Sequence, residues 1–191
     1  MNWFPQYNYI LASKSPRRQQ LLQSLGIGFE VITKEVNERF PPGMHKYDIP
    51  VFLAELKSHS LIGLLKKNDL LITADTIVWL EDEVLGKPAD EKEANTMLQQ
   101  LSGKKHEVIS GVCLTSPKKK QTFYSTSSVE FKNLTKAEID YYIKNFKPFD
   151  KAGSYGIQEW IGTIGIKHIE GSFYNVMGLP IQKLYEEILK F

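Results

Sequence analysis

Short apolar, β-branched runs interleaved with amphipathic segments predict a mixed α/β fold: an elongated mixed β-sheet flanked by helices, in two lobes with a cleft between them. Three observations point there. The run Tyr7–Leu11 leads straight into a helix-starting Ser15-Pro16. Leu70–Leu80 is a long β-branched and apolar stretch, and His106–Leu114 and Gln121–Phe131 alternate well enough to pair as strands. Residues capable of chemistry are spread from Ser13 to Gln158, which suits a cleft better than a single loop.

In chain order, Tyr7–Leu11 reads as a strand. Ser15 then reads as an N-cap and Pro16 as the first helical residue, where a missing N–H costs nothing. Leu21, Leu22 and Leu25 give that helix an apolar stripe, and Gly26 stops it. Phe29–Ile32 is a short strand, and Phe40-Pro41-Pro42-Gly43 a loop. Asp48 caps a helix expected to run to about Leu65, with Ile49, Leu53, Leu56, Ser60 and Leu64 on one face. After the strand at Leu70–Leu80, the polar turn Glu81-Asp82-Glu83 makes a hairpin with Val84-Leu85. Asp90 opens a helix that Gly103 ends, and Thr135-Lys136-Ala137-Glu138 is a capping box for another, reaching about Asn145. Glycines and isoleucines between Asp150 and Gly178 predict short strands and close backbone approaches. Pro180 starts a final helix carrying Ile181, Leu184, Ile188 and Leu189.

With 191 residues the chain can bury a substantial core, and 1–191 reads as a single domain. A net charge of +2 is too small to argue for nucleic-acid binding through the global field, although local basic patches could bind phosphates, and Lys118-Lys119-Lys120 reads as a solvated hairpin tip. Cys113 is the only cysteine, which excludes an intrachain disulfide and a cysteine-based zinc site. No apolar run reaches the ~20 residues of a membrane span, and Met1–Tyr9 lacks the pattern of a signal peptide, so a cytoplasmic location is expected.

Several residues carry chemistry. Arg17 and Arg18 sit in a first helical turn, where the macrodipole disfavours cations. Either an anion such as phosphate lies between them or they are simply solvated. Asp75 lies inside an apolar strand, where a carboxylate needs a cation: a lysine partner, or a metal and a water to orient. Lys87, between Gly86 and Pro88, suits a phosphate ligand, although an ordinary exposed lysine fits equally. Lys57 lies beside an apolar stripe, where lysines commonly snorkel. His106 has no histidine at supporting spacing and reads as structural. In Asp150–Gln158 the small residues admit close approach, and the Gln158 amide can read a base edge or simply follow a tight turn. Walker, nucleophile-elbow and Rossmann signatures are missing. Dispersed cations with one or two carboxylates fit a polyphosphate substrate.

Taken together the motifs resemble the Maf family of nucleoside triphosphate pyrophosphatases. The resemblance runs through Leu-Ala-Ser-Lys-Ser-Pro-Arg-Arg at 11–18, Ala-Asp-Thr at 74–76, Gly-Lys-Pro at 86–88, Leu-Ser-Gly at 101–103 with His106, the block at 150–158, and Gly-Ser-Phe-Tyr-Asn-Val-Met-Gly-Leu-Pro at 171–180. It implies a Maf/ITPase-like fold and hydrolysis of a nucleoside triphosphate to the monophosphate and pyrophosphate, with a divalent cation, Mg²⁺ or Mn²⁺. By resemblance Asp75 is the proton acceptor. Ser13, Arg18, Glu38, Lys57 and Lys87 bind substrate, and Arg17, Thr76 and Gln158 set base selectivity. Asp75 and Glu38 would hold the metal. Ala-Asp-Thr with Tyr-Gly-Ile-Gln resembles the dTTP/UTP pyrophosphatase branch; the branch favouring 7-methyl-GTP typically has Ser-Asp-Gln. House-cleaning of modified nucleotides and a homodimer are further family-level expectations. A nucleotide-binding regulator linked to cell division, with incidental hydrolysis, is the alternative. Two departures stand out: Asn37 where an acidic residue is usual, which bears on a metal contact, and Glu159-Trp160 where a glycine commonly follows Gln158, which bears on the base-side wall.

Overall fold

The computed structural model describes residues 3–191. A seven-stranded mixed sheet runs in the order β2-β1-β3-β5-β6-β7, with β4 paired to β3 off this path. The strands are β1 (Asn8–Leu11), β2 (Phe29–Val31), β3 (Asp69–Leu80), β4 (Glu83–Leu85), β5 (Lys105–Thr115), β6 (Lys120–Phe131) and β7 (Ile166–Glu170). The helices are α1 (Pro16–Gln23), α2 (Asp48–His59), α3 (Glu91–Leu101), α4 (Lys136–Phe146), α5 (Trp160–Gly165), α6 (Phe173–Met177) and α7 (Ile181–Lys190). The chain divides into two compact units. The first comprises the chain up to Thr76 with Ser110–Ser125 and Gly178–Phe191; the second comprises Ile77–Ile109 and Thr126–Met177.

In the first unit β1 lies parallel to both β2 and β3. Parallel strands are covered on both faces, and Tyr9, Ile10, Leu11 and the run Leu70–Asp75 are accordingly all buried. The register of β1 with β3 ends at Leu11 opposite Ile72, whereas β3 continues to Leu80. Residues 73–76 therefore extend past the carboxyl end of β1, where open α/β sheets place their ligands. Helix α2 is fastened to this stretch. The Thr73 hydroxyl donates to the Ala54 carbonyl at 2.7 Å, and Ser58 and Thr115 pair hydroxyls at 2.6 Å. Gly111 makes the approach possible, since a Cβ there would lie 2.3 Å from the Pro50 carbonyl carbon.

The second unit has its own core, with Val78, Leu98, Leu101, Phe131, Ile139, Tyr142 and Ile161 at its centre. Both expected caps are present: Asp90 accepts from the Glu93 N–H at 2.8 Å, and Thr135 and Glu138 form the reciprocal box. The hairpin joining β3 to β4 turns through Glu81 and Asp82, both with positive φ.

Several expectations need correcting. Helix α2 ends at His59, not near Leu65, because the Ser60 hydroxyl bonds back to the Lys57 carbonyl at 2.8 Å and Ile62–Leu64 tightens into a 3₁₀ turn. Leu64 is left 63% exposed, and Asp48 is the first helical residue rather than the cap. Leu25 falls beyond α1, and Leu189 faces solvent, one residue round from the buried Ile181, Leu184 and Ile188. Between 150 and 178 the chain forms a 3₁₀ turn, α5, β7 and α6 in place of several strands. Ile157 and Ile161 are buried at helical spacing there, and the close approach is real: a Cβ on Gly162 would lie 2.0 Å from the Ile157 carbonyl oxygen.

His106 is structural, as expected. Its Nε2 lies 2.8 Å from the Tyr155 hydroxyl, and its ring stacks on Phe131. Burial pushes its pKa down from 6.5 to about 4, and burial likewise pushes the Tyr155 phenol up. The folded-state pKa lies below the unfolded one, so the unfolded chain takes up this proton first as pH falls. Stability from this residue is complete above pH ~6.5 and falls toward pH ~4, by as much as about 3 kcal/mol. Urea unfolding at pH 7 and pH 4.5 should show a steeper loss for the natural chain than for His106→Gln; equal slopes contradict a buried neutral imidazole.

Candidate active site

The first unit gathers five of the expected residues around residues 74–76 of β3. Side chains alternate along a strand, so Thr73 and Asp75 face α2 while Thr76 faces the other way. Asp75 is 8% exposed. The Lys57 ammonium, projecting from α2, lies 2.5 Å from Asp75 Oδ1 and 3.1 Å from Glu38 Oε1. One cation thus bridges two carboxylates, one on a rigid strand and one in the irregular segment between β2 and α2. The carboxylate in the apolar strand has found a lysine partner, and the same two carboxylates are those expected from the sequence to hold a metal.

On the opposite face, Arg18 turns its guanidinium inward. Its Nε donates to the Gly178 carbonyl at 2.8 Å, Nη1 to the Ala74 carbonyl at 2.9 Å, and Nη2 to Thr76 Oγ1 at 3.0 Å. Three of the five N–H groups of the fork are thereby committed. Burial lowers the Arg18 pKa, Asp75 and Glu38 act to raise it, and Arg17 acts to lower it. This placement accounts for a cation in the first turn of α1, a turn that contains no acidic residue. Arg17, the preceding residue, is half-buried.

Ser13 lies just past the end of β1 and is buried. Its hydroxyl accepts the Ser15 N–H at 3.2 Å, and its carbonyl accepts from Gln19 Nε2 at 3.1 Å. Ser15 occupies the N-cap position with extended backbone, but its side chain makes no capping bond. The bend at 13–15 is instead tied by Ser13.

Lys87 and Gln158 belong to the second unit, and both are exposed. Gly86 accepts the Gly153 N–H at 3.0 Å, joining the Gly-Lys-Pro turn to the 150–158 segment. Gly153 has φ of 66° and sits against Val78, a position few other residues could take. Asn37 is exposed. Glu159, the other departure, turns into the unit: it accepts from the Tyr142 hydroxyl and pairs with Lys151 Nζ at 3.0 Å. Burial, then Glu159, pushes the Tyr142 phenol up. Trp160 packs on Tyr141. Glu159 is thus an internal anchor for this loop.

Two contributors escaped the sequence reading. Ser110, fully buried on β5, lies 2.8 Å from Thr76 Oγ1. The Gly178 carbonyl, presented at a φ of 115°, receives both Arg18 and Thr76. Ser110 carried a usable signal, because a hydroxyl inside Val108-Ile109-Ser110-Gly111-Val112 is the same kind of anomaly as Asp75.

The family model described as Maf-like protein matches residues 8–191. The chain belongs to that family. Its relatives include proteins named dTTP/UTP pyrophosphatase. That of Phocaeicola vulgatus is 51% identical, covering 96% of this chain and 96% of its own. That of Bacteroides thetaiotaomicron is 50% identical, again covering 96% of each. That of Flavobacterium psychrophilum is 49% identical over 97% of this chain and 95% of its own.

Within this Maf-family chain, no group of three or more His, Cys, Asp or Glu side chains among the described residues is placed to hold a metal. The pair Asp75 and Glu38 nevertheless fits a hard divalent ion in its donor chemistry, since both already turn carboxylate oxygens to one cation. Magnesium commonly takes one or two carboxylates and completes its shell with substrate phosphates and water.

Replacing Lys57 by Met removes the partner of a mostly buried carboxylate and should cost about 2 kcal/mol in urea unfolding. Glu38→Gln should cost less than about 0.5 kcal/mol, because that side chain is 46% exposed and solvent screens it. Equal losses would contradict a pair centred on Asp75.

Proposed function

We propose that this chain hydrolyses nucleoside triphosphates, dTTP and UTP foremost, to the nucleoside monophosphate and pyrophosphate. The observation that carries the reading is Asp75, a carboxylate on a rigid strand at the carboxyl end of a parallel sheet, held by Lys57. Names of half-identical relatives supply the substrate class.

In the proposed reaction Asp75 orients a water and accepts its proton. The water oxygen bonds to the α-phosphorus, the bond from that phosphorus to the α,β-bridging oxygen breaks, and the oxygen leaves with pyrophosphate. Lys57 fixes the Asp75 carboxylate by a 2.5 Å contact, so the base is aimed before substrate arrives. Asp75 and Glu38 would hold a divalent cation, which when bound neutralises phosphate charge. Ser13 and the uncommitted N–H groups of Arg18 contact phosphate oxygens, and positive charge offsets the charge growing on the leaving group. Lys87 is assigned to substrate, and Arg17, Thr76 and Gln158 to the base, by the sequence resemblance.

The test is pyrophosphate release from a panel of nucleoside triphosphates with Mg²⁺ or Mn²⁺, run in H₂¹⁸O. Release should favour dTTP and UTP over ATP and GTP by about tenfold or more in kcat/KM. Label should appear in the monophosphate, and EDTA should abolish turnover. No release above the metal blank, or label in the pyrophosphate, overturns the proposal.

A further inference from the structure

The Thr76 hydroxyl is crowded by the protein itself. A hydroxyl oxygen on carbon has three remaining tetrahedral directions, one for its own proton and two for lone pairs. Arg18 Nη2 at 3.0 Å, Ser110 Oγ at 2.8 Å and the Gly178 carbonyl oxygen at 3.2 Å are three polar neighbours for those three directions. Arg18 can only donate, so it takes one lone pair. A carbonyl can only accept, so the Thr76 proton points to Gly178 and Ser110 donates into the second lone pair. If the Thr76 proton goes to Ser110 instead, the carbonyl still blocks the remaining direction. Neither arrangement leaves the oxygen able to bond a base.

We infer that Ser110 is a positioning residue for this site, and that Thr76 meets the nucleotide base through its Cγ2 methyl rather than by a hydrogen bond. The second half rests on Thr76 having a part in base choice; the first half does not. With its oxygen enclosed, Thr76 has one other group at the end of its side chain, and that is a methyl. A methyl suits the apolar C5–C6 edge of a pyrimidine ring, as apolar side chains suit the thymine methyl in nucleic-acid recognition. Discrimination by that contact is a matter of shape.

Ser110 acts through its neighbours. It is fully buried, with its hydroxyl set against Thr76 Oγ1. It fixes the Thr76 rotamer, Thr76 receives Arg18, and Arg18 binds the Ala74 carbonyl that precedes Asp75. Gly178 completes the clamp with a backbone conformation that favours glycine. Loosening Ser110 therefore loosens the backbone on which the proposed base is mounted. A misplaced base lowers turnover more than it lowers binding.

Three variants, Ser110→Ala, Thr76→Val and Thr76→Ser, separate the parts. Base choice is read as the ratio of Kd values for α,β-methylene analogues of dTTP and ATP, which needs no turnover. Thr76→Val keeps the shape and should leave that ratio within about twofold, whereas Thr76→Ser drops the methyl and should shift it by about fivefold or more. The reverse pattern shows that the hydroxyl reads the base and overturns the inference. Positioning is read by NMR exchange of the Arg18 Nε–H in the nucleotide-free protein and by kcat against KM on dTTP. Ser110→Ala should speed that exchange by about fivefold and lower kcat by a similar factor with KM within about twofold. Unchanged exchange and kcat remove Ser110 from the role. A natural chain that binds the analogues but releases no pyrophosphate fails the proposed hydrolysis alone, and the Kd ratios and exchange rates still decide the inference. A chain that binds none of the analogues refutes the methyl contact, and the exchange then decides Ser110.

Discussion

A carboxylate in the middle of an apolar strand must be given a cation, and in this chain the cation is the Lys57 ammonium, 2.5 Å away. Much of the first unit serves to deliver it. Lys57 reaches Asp75 only if α2 lies close on the sheet, and α2 can do so because position 111 has no side chain and because Thr73 and Ser58 hydrogen-bond across the contact. Glu38, in a segment without regular structure, comes to the same ammonium. A lysine between two acids is also the arrangement that an incoming polyphosphate or divalent ion can remake, since each would compete for one member of the set.

The other face of residues 74–76 is governed by a different cation. Arg18 holds its charge in place by bonds to two carbonyls and a hydroxyl, which fixes the backbone around Asp75 from the side opposite Lys57. Charges that look unfavourable on the helix viewed alone are favourable once the acceptors of β3 and the Gly178 turn are placed beside them. Rigidity around Asp75 and a partly committed guanidinium are two results of one arrangement. They suit an enzyme whose chemistry consists of aiming a water at phosphorus.

Local signals were readable in the sequence because their causes are local. The capping box at Thr135, the cap at Asp90 and the turn at Glu81-Asp82 each depend on residues within a few positions. Asp75 was readable as well, since its cost is set by the apolar residues on either side. The end of α2 was not, because one hydroxyl, Ser60, competes with continued apolar spacing that reaches Leu64. Between Asp150 and Gly178 the isoleucine spacing fits a strand or a one-turn helix equally, and the packing of Gly162 on Ile157 selects the helix. Partnerships across the fold were the least readable. Lys57 looks like any helical lysine until it is opposite Asp75, and Ser110 is a single hydroxyl whose partner lies on another strand. Resemblance assigned Lys57, Glu38 and Thr76 to a site; only geometry distinguishes the ammonium that holds Asp75 from the guanidinium that holds the strand.

The central claim is that the negative charge of Asp75 drives the hydrolysis. It is tested most directly by Asp75→Asn, which keeps the size of the side chain and removes its basicity. Steady-state turnover of dTTP should fall by about a hundredfold or more, while the Kd of a non-hydrolysable dTTP analogue stays within about threefold. Turnover within about threefold of the natural chain would contradict the account, because a group that can be neutralised without loss is not the base.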